Sequence, residues 1–107
     1  MAGGSTYCAV ASLVLMGRMD SELGCDDEIH SWGNELIQWC VLRQVKGMQG
    51  RPNKRQDTCY SYWIGGTLRL LGYDHLLDKE ALTDFVLGCQ SDMGGFSKLE
   101  YGLYPDM

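Results

Sequence analysis

The feature that most constrains this chain is an internal repeat. Displacing the first apolar stretch by 55 positions lays Tyr7 on Tyr62, Ser12 on Thr67, Leu13 on Leu68, Leu15 on Leu70 and Gly17 on Gly72. A displacement of 46 lays Leu36 on Leu82, Trp39 on Phe85 and Gln44 on Gln90. Each unit pairs an apolar helix with an amphipathic one over about fifty residues, the pattern of a stacked array of helical hairpins. The chain holds two such units and the opening of a third, so an all-α architecture is expected.

The first helix is expected to start at Ser5 or Thr6 as N-cap, run to about Met16 and end at Gly17. It is apolar nearly all round, which predicts burial on every side. After a polar connector over residues 18–27, Asp26 or Asp27 can cap a second helix to about Val45. Ile29, Trp32, Leu36, Trp39 and Cys40 recur there at three- and four-residue steps, while Glu28, Asn34, Glu35 and Gln38 mark a wet face. A third helix starts at Asp57 or Thr58 and stops at Gly72, with Gly65 and Gly66 inside it. Those glycines permit close packing, line a cavity, or bend the helix. A fourth is expected from Asp78 to Gln90, with Leu77 and Leu82 as a hydrophobic staple and Leu82, Phe85, Val86 and Cys89 facing inward. Residues 94–107 read as loop.

Composition removes several classes of function. At 107 residues and 12.0 kDa there is room for one domain. A net charge of −5 argues against a sequence-independent nucleic-acid binder, which needs a basic face for phosphates. The five cysteines, Cys8, Cys25, Cys40, Cys59 and Cys89, are an odd count without C-x-x-C spacing, which points to free thiols in a reducing compartment. With no signal-peptide pattern and no run of about eighteen apolar residues, the expectation is a cytoplasmic protein without stable membrane insertion.

The chemistry is concentrated in residues 50–63, GRPNKRQDTCYSYW. Two cations (Arg51, Lys54), a carboxylate (Asp57), a thiol (Cys59) and three aromatics (Tyr60, Tyr62, Trp63) fall in the turn before a helix and in its first turns. Asp57 and Cys59 straddle the helix start, where the backbone bends and side chains two apart can converge. A carboxylate and a thiolate are zinc donors, and a catalytic zinc site leaves one position open, here for a substrate thiol. Arg51 and Lys54 beside such a site favour a polyanion such as a diphosphate. By spacing alone, Asp-x-Cys also reads as an N-cap followed by a buried cysteine, and the cations as solvated loop charges.

The same segment resembles the zinc-site stretch of the protein prenyltransferase β subunits, and RPNK followed by DTCYS is most similar to the type I protein geranylgeranyltransferases. The resemblance extends to GGSTYCAVASLVLMG at residues 3–17 and GGFSK at residues 94–98. It implies an α/α toroid, an inner ring of helices around an apolar cavity and an outer ring facing solvent. Residues 1–107 would be about the last third of that ring. It also implies transfer of a geranylgeranyl group from its diphosphate to the cysteine of a C-terminal CaaX box, by a β subunit paired with an α subunit. On this pattern Asp57 and Cys59 are two of three ligands of one Zn²⁺. Arg51, Lys54, Tyr60 and Lys98 hold the isoprenoid diphosphate, and Trp63 lines the pocket for lipid and peptide, with Tyr7 and Cys8 as further candidates. Asp57, Cys59 and Tyr60 are thereby the implied catalytic residues. Lys98 stands where the farnesyl enzymes carry a magnesium-binding aspartate.

Two positions depart from the family pattern. A histidine expected before the glycines of GGSTY is Ala2, and the third zinc ligand, a histidine, is expected just beyond Met107, after Pro105 and Asp106. His30 and His75 read as surface residues rather than substitutes. Two alternatives stand beside the transferase reading: a catalytically inactive partial toroid that binds only a partner, and a plain helical-repeat scaffold or terpene-cyclase-like toroid. The last leaves the Arg51, Lys54, Asp57, Cys59 cluster unexplained. Exposed inner-helix surface predicts that the chain by itself aggregates or needs a partner.

Overall fold

The computed structural model describes residues 2–18 and 32–100. It contains α1 (Gly3–Leu15), α2 (Trp32–Val41), α3 (Thr58–Leu71) and α4 (Lys79–Gly88), with a single 3₁₀ turn at Asp74–Leu76. No named strand occurs among the described residues, and the extended pairing is limited to isolated bridges such as Gln44 with Met48 and Gln90 with Phe96. None of the helices is long and apolar enough to cross a membrane. The capping region at Asp26 and Asp27, together with Ile29, Glu28, His30, Pro105 and Asp106, lies outside the described residues.

The repeat is reproduced down to individual hydrogen bonds. Gly17 (φ 67°) and Gly72 (φ 83°) occupy the left-handed region after α1 and α3, where a side chain would be strained. Arg18 N–H donates to the Leu13 carbonyl at 2.9 Å, and Tyr73 N–H to the Leu68 carbonyl at 2.9 Å. These are the same six-residue closure of the last turn, at positions that differ by the repeat length. The two inner helices pack side by side. Gly3 permits this: a Cβ there would stand 2.9 Å from both Ile64 Cγ1 and Tyr60 Cδ1. At Gly66 a Cβ would come within 3.0 Å of Tyr7, so Gly66 is a close-packing glycine, while Gly65 faces open space. Neither bends the helix, which is continuous from Thr58 to Leu71.

The core joins α1, α2 and α3 through Val10, Leu36, Ile37, Cys40, Ile64 and Leu68. Met48, fully buried, closes it from the loop after α2. Leu77 and Leu82 both meet this cluster, as a staple across the start of α4 requires. Asp78 is the α4 N-cap, its carboxylate accepting from Ala81 N–H at 3.1 Å. Cys40 is fully enclosed, and loss of solvation pushes its thiol up to about 12.

Three sequence expectations need correction. First, α1 starts at Gly3 with Ala2 as N-cap, and no side chain caps it. The hydroxyls of Ser5 and Thr6 instead donate back to the Ala2 carbonyl at 3.2 and 2.7 Å, with Gly3 held inside the first turn by its close contact with α3. Second, α1 buries one face only: Gly3, Thr6 and Val10 are covered, whereas Leu15 is 88% and Met16 64% exposed. Tyr7, Ala11 and Leu13 are half-buried, and Ala9, Val14 and Leu15 are exposed. Third, α2 ends at Val41, not near Val45. The chain leaves the helix because its next side chains have other partners. Arg43 Nε donates back to the Trp39 carbonyl at 3.2 Å. Gln44 takes Asp78 N–H at 2.9 Å and donates to the Asp78 carbonyl at 2.8 Å, fastening the end of α2 to the start of α4.

Candidate functional site

Asp57 is the N-cap of α3, with extended backbone (φ −147°, ψ 137°) and Oδ1 accepting from Cys59 N–H at 3.0 Å. The N-cap half of the plain reading of Asp-x-Cys is therefore realised, whereas Cys59 is half-buried rather than buried. The cap leaves the other carboxylate oxygen free for further work: Lys98 Nζ lies 3.7 Å from Oδ2, although Asp57 itself is buried. The cap and the charge of one carboxylate are used in two directions.

The loop before α3 reaches this point by a fixed route. Gln56 Oε1 accepts from both Lys46 N–H (3.2 Å) and Gly47 N–H (2.7 Å), and Asp57 N–H donates to the Met48 carbonyl at 3.0 Å. Gly47 is pressed on the Phe85 ring, where a Cβ would approach to 2.3 Å. Gly50 is pressed in the same way on Tyr60, at 2.3 Å from its Cζ, and its carbonyl accepts from Gly3 N–H at 3.0 Å. Asn53, at φ 64°, turns the chain between Arg51 and Lys54. Both glycines are places where only backbone fits.

These constraints produce a cavity of about 600 Å³ lined by Ala2, Gly50, Arg51, Lys54, Arg55, Gln56, Asp57, Tyr60, Lys98 and Leu99. Four cations from two distant stretches thus face one hollow, with the Tyr60 ring and the Asp57 carboxylate in its wall. Arg51, Lys54, Asp57, Tyr60 and Lys98, singled out in the sequence, are brought together. Cys59 and Trp63 are not in this wall. Cys59 is half-buried one step along the helix. Trp63 instead joins Tyr7 and Tyr62 in an aromatic cluster with ring centroids 5.0 to 5.2 Å apart, and the two phenol oxygens are 3.0 Å from each other. That hydrogen bond holds the Tyr7 phenol above its usual range. Cys8 is exposed on α1.

As metal donors, Asp57 and Cys59 have suitable chemistry and stand two positions apart at the start of α3. Among the described residues no third histidine, cysteine, aspartate or glutamate completes a group with them. His75 is exposed in the 3₁₀ turn, its ring 5.9 Å from that of Tyr73, far along the chain from this end of α3.

Sequence reasoning overlooked the residues that fasten the site. Arg55, which carries no role in the motif, also lines the cavity. Thr58 was only an alternative helix start. Its N–H donates to the Lys98 carbonyl at 3.0 Å, and its hydroxyl reaches the carbonyls of Ser97 and Lys98. Ser97, 2% exposed, donates from its own N–H to the Cys89 carbonyl at 2.6 Å. Nothing in local spacing reveals a contact between residues forty apart.

An array of helical hairpins whose inner helix opens on a cation-ringed hollow defines a class, and comparison with known families agrees. The model of the prenyltransferase alpha-alpha toroid domain matches residues 2–107, and the chain belongs to this family. It is 50% identical over 109 residues to the geranylgeranyl transferase type-1 subunit beta of Arabidopsis thaliana, a match covering 98% of this chain and 29% of the relative. To the protein so named in Dictyostelium discoideum it is 39% identical over 106 residues, covering 98% and 28%. Among solved structures, the Candida albicans protein geranylgeranyltransferase-I complexed with GGPP matches with a TM-score of 0.77 at 27% identity, covering 98% of this chain and 32% of that one. The chain spans less than a third of the length of these relatives, so its toroid is partial.

Proposed function

We propose that this chain is part of the β subunit of a zinc-dependent type I protein geranylgeranyltransferase, which moves a geranylgeranyl group from its diphosphate to the cysteine of a CaaX box. The observation that carries the reading is the convergence of Arg51, Lys54, Tyr60 and Lys98 on one cavity beside Asp57. Guanidinium and ammonium groups gathered around a partly enclosed site favour a diphosphate more as it leaves, since its charge then grows. The Tyr60 ring is held by its packing on Gly3 and Gly50, in the wall of the same cavity. Arg51 and Lys54 approach from the loop and Lys98 from the tail, which suits a ligand with two phosphates. The aromatic cluster of Tyr7, Tyr62 and Trp63 is the apolar surface on which we place the lipid and the peptide, with Cys8 close by on α1.

Asp57 and Cys59 would hold the zinc, together with the histidine expected beyond Met107. When bound, the metal lowers the pKa of a substrate thiol so that the thiolate is present at neutral pH. We expect an α subunit as partner. We place the protein in the cytoplasm, a reducing compartment in which its odd number of cysteines stays unbridged.

The test is zinc content and prenyl transfer of this chain beside a version extended through the next residues of its transcript, each copurified with an α subunit. One tight zinc in the extended version, abolished by Cys59→Ala, supports the site. Absence of zinc from both versions removes the metal assignment, and the reading of the chain as a partner-binding toroid then takes its place.

A further inference from the structure

Lys98 belongs to the tail, yet its ammonium sits at the head of α3, 3.7 Å from Asp57 Oδ2. Its side chain is 66% exposed, so packing does not hold it there. The backbone beneath it is held instead, and at two points. On one side Ser97 is buried and fastened to the C-terminal end of α4, through its N–H to the Cys89 carbonyl and through its hydroxyl, within reach of the Cys89 and Leu99 carbonyls. On the other side Thr58 grips the Ser97 and Lys98 carbonyls with its hydroxyl and the Lys98 carbonyl with its N–H. Thr58 is the first residue of α3, where a backbone N–H has no partner inside the helix and is available to another segment. It also stands between Asp57 and Cys59, so whatever it holds is held in register with both.

We propose that Thr58 is a positioning residue for Lys98: by clamping the tail backbone to the first turn of α3, it keeps the Lys98 ammonium on the rim of the diphosphate cavity. The inference rests on the diphosphate reading given above. A flexible lysine has several rotatable bonds, and anchoring its backbone removes the freedom that an anion would otherwise have to freeze on binding. Thr58 acts through Lys98 and touches no ligand.

The test is a double-mutant cycle on the complete subunit carrying this chain, copurified with its α subunit, with inorganic pyrophosphate as the probe in calorimetry. Thr58→Val keeps the branched shape and removes the hydroxyl, and should weaken pyrophosphate binding about fivefold, with Thr58→Ser restoring it. Lys98→Ala should weaken it about tenfold. Thr58→Val in the Lys98→Ala background should then add nothing, because the clamp has no ammonium left to place. If the two losses multiply, or Thr58→Val changes zinc content in step with affinity, Thr58 does not act through Lys98 and the proposal is overturned. Ser97→Ala gives a second route should Thr58→Val not fold: it must weaken binding only when Lys98 is present, and an equal loss in both backgrounds also overturns the proposal. Coupling observed without prenyl transfer upholds the positioning role and removes the transferase reading. Transfer with independent losses does the reverse.

Discussion

The two ends of α3 are built on different terms. At the C-terminal end it copies α1: a left-handed glycine, a six-residue closure onto a leucine carbonyl, and a leucine at the matching position. At the N-terminal end the backbone tie is also kept, Gly3 N–H to the Gly50 carbonyl and Thr58 N–H to the Lys98 carbonyl, each at 3.0 Å. The side chains differ: Ala2 caps α1 without one, whereas Asp57 caps α3 with its carboxylate and the Thr58 hydroxyl reaches the tail. The residues proposed to bind diphosphate and metal collect where the side chains depart from the repeat. The repeated end supplies a scaffold that any hairpin could share, while the other end brings the loop before α3 and the tail together beside one carboxylate.

This contrast can be tested from its strongest effect downward. Leu68→Ala, at the repeated end and fully buried, should destabilise the fold by about 2–5 kcal/mol in denaturant unfolding. It should leave relative affinities at the site unchanged in whatever protein remains folded. If it alters pyrophosphate binding as strongly as it alters stability, the two ends are not separable. Gly50→Ala sits at the other end, and its Cβ would collide with Tyr60. It should cost about 1–3 kcal/mol as overpacking. Here, unlike for Leu68→Ala, anion binding should fall together with stability, read by calorimetry beside the same unfolding curve.

Asp57 allows the finest dissection at the functional end. Asn is as good an N-cap as Asp, so Asp57→Asn should hold the unfolding midpoint while removing the charge and, with it, the zinc proposed there. Asp57→Ala should lose that proposed zinc and in addition about 1 kcal/mol of stability. Equal midpoints for the two variants would mean that the cap seen at Cys59 N–H contributes nothing. The smallest effect belongs to Asp74, just past the repeated end. Its carboxyl is held below the usual range, first by a hydrogen bond from Lys79, whose ammonium is 3.1 Å away, and further by the charges of Lys79 and Arg69. A lowered pKa means that the ionised form favours folding. The contribution is present above the ordinary value of 3.8 and disappears as the pH falls further. Lys79→Ala should flatten that part of the acid-stability profile, measured by urea midpoints at successive pH values, without touching the site.

What was legible in the sequence follows the same division. The repeat, the stops at Gly17 and Gly72, the Asp57 and Asp78 caps and the Leu77–Leu82 staple are local patterns, and local patterns could be read. So could the meeting of Arg51, Lys54, Asp57 and Tyr60, which are neighbours in the chain. That Lys98 joins them came from resemblance and not from any spacing. The clamp at Thr58 and the Gln44–Asp78 tie were invisible because each spends a polar side chain on the backbone of a remote segment. The same kind of commitment explains the early end of α2, since Gln44 has a partner outside its helix. The burial expected all round α1 failed for another reason: composition reports what a helix would bury, not which neighbours are there to cover it.

The contact between Tyr7 and Tyr62 joins a position to its own counterpart one repeat later. Two residues with the same place in their hairpins have become each other's environment. Drift at one is therefore felt at the other. A phenylalanine at either position leaves its counterpart without that bond, and a change in length anywhere between them must be absorbed in a connector or the pair falls out of step.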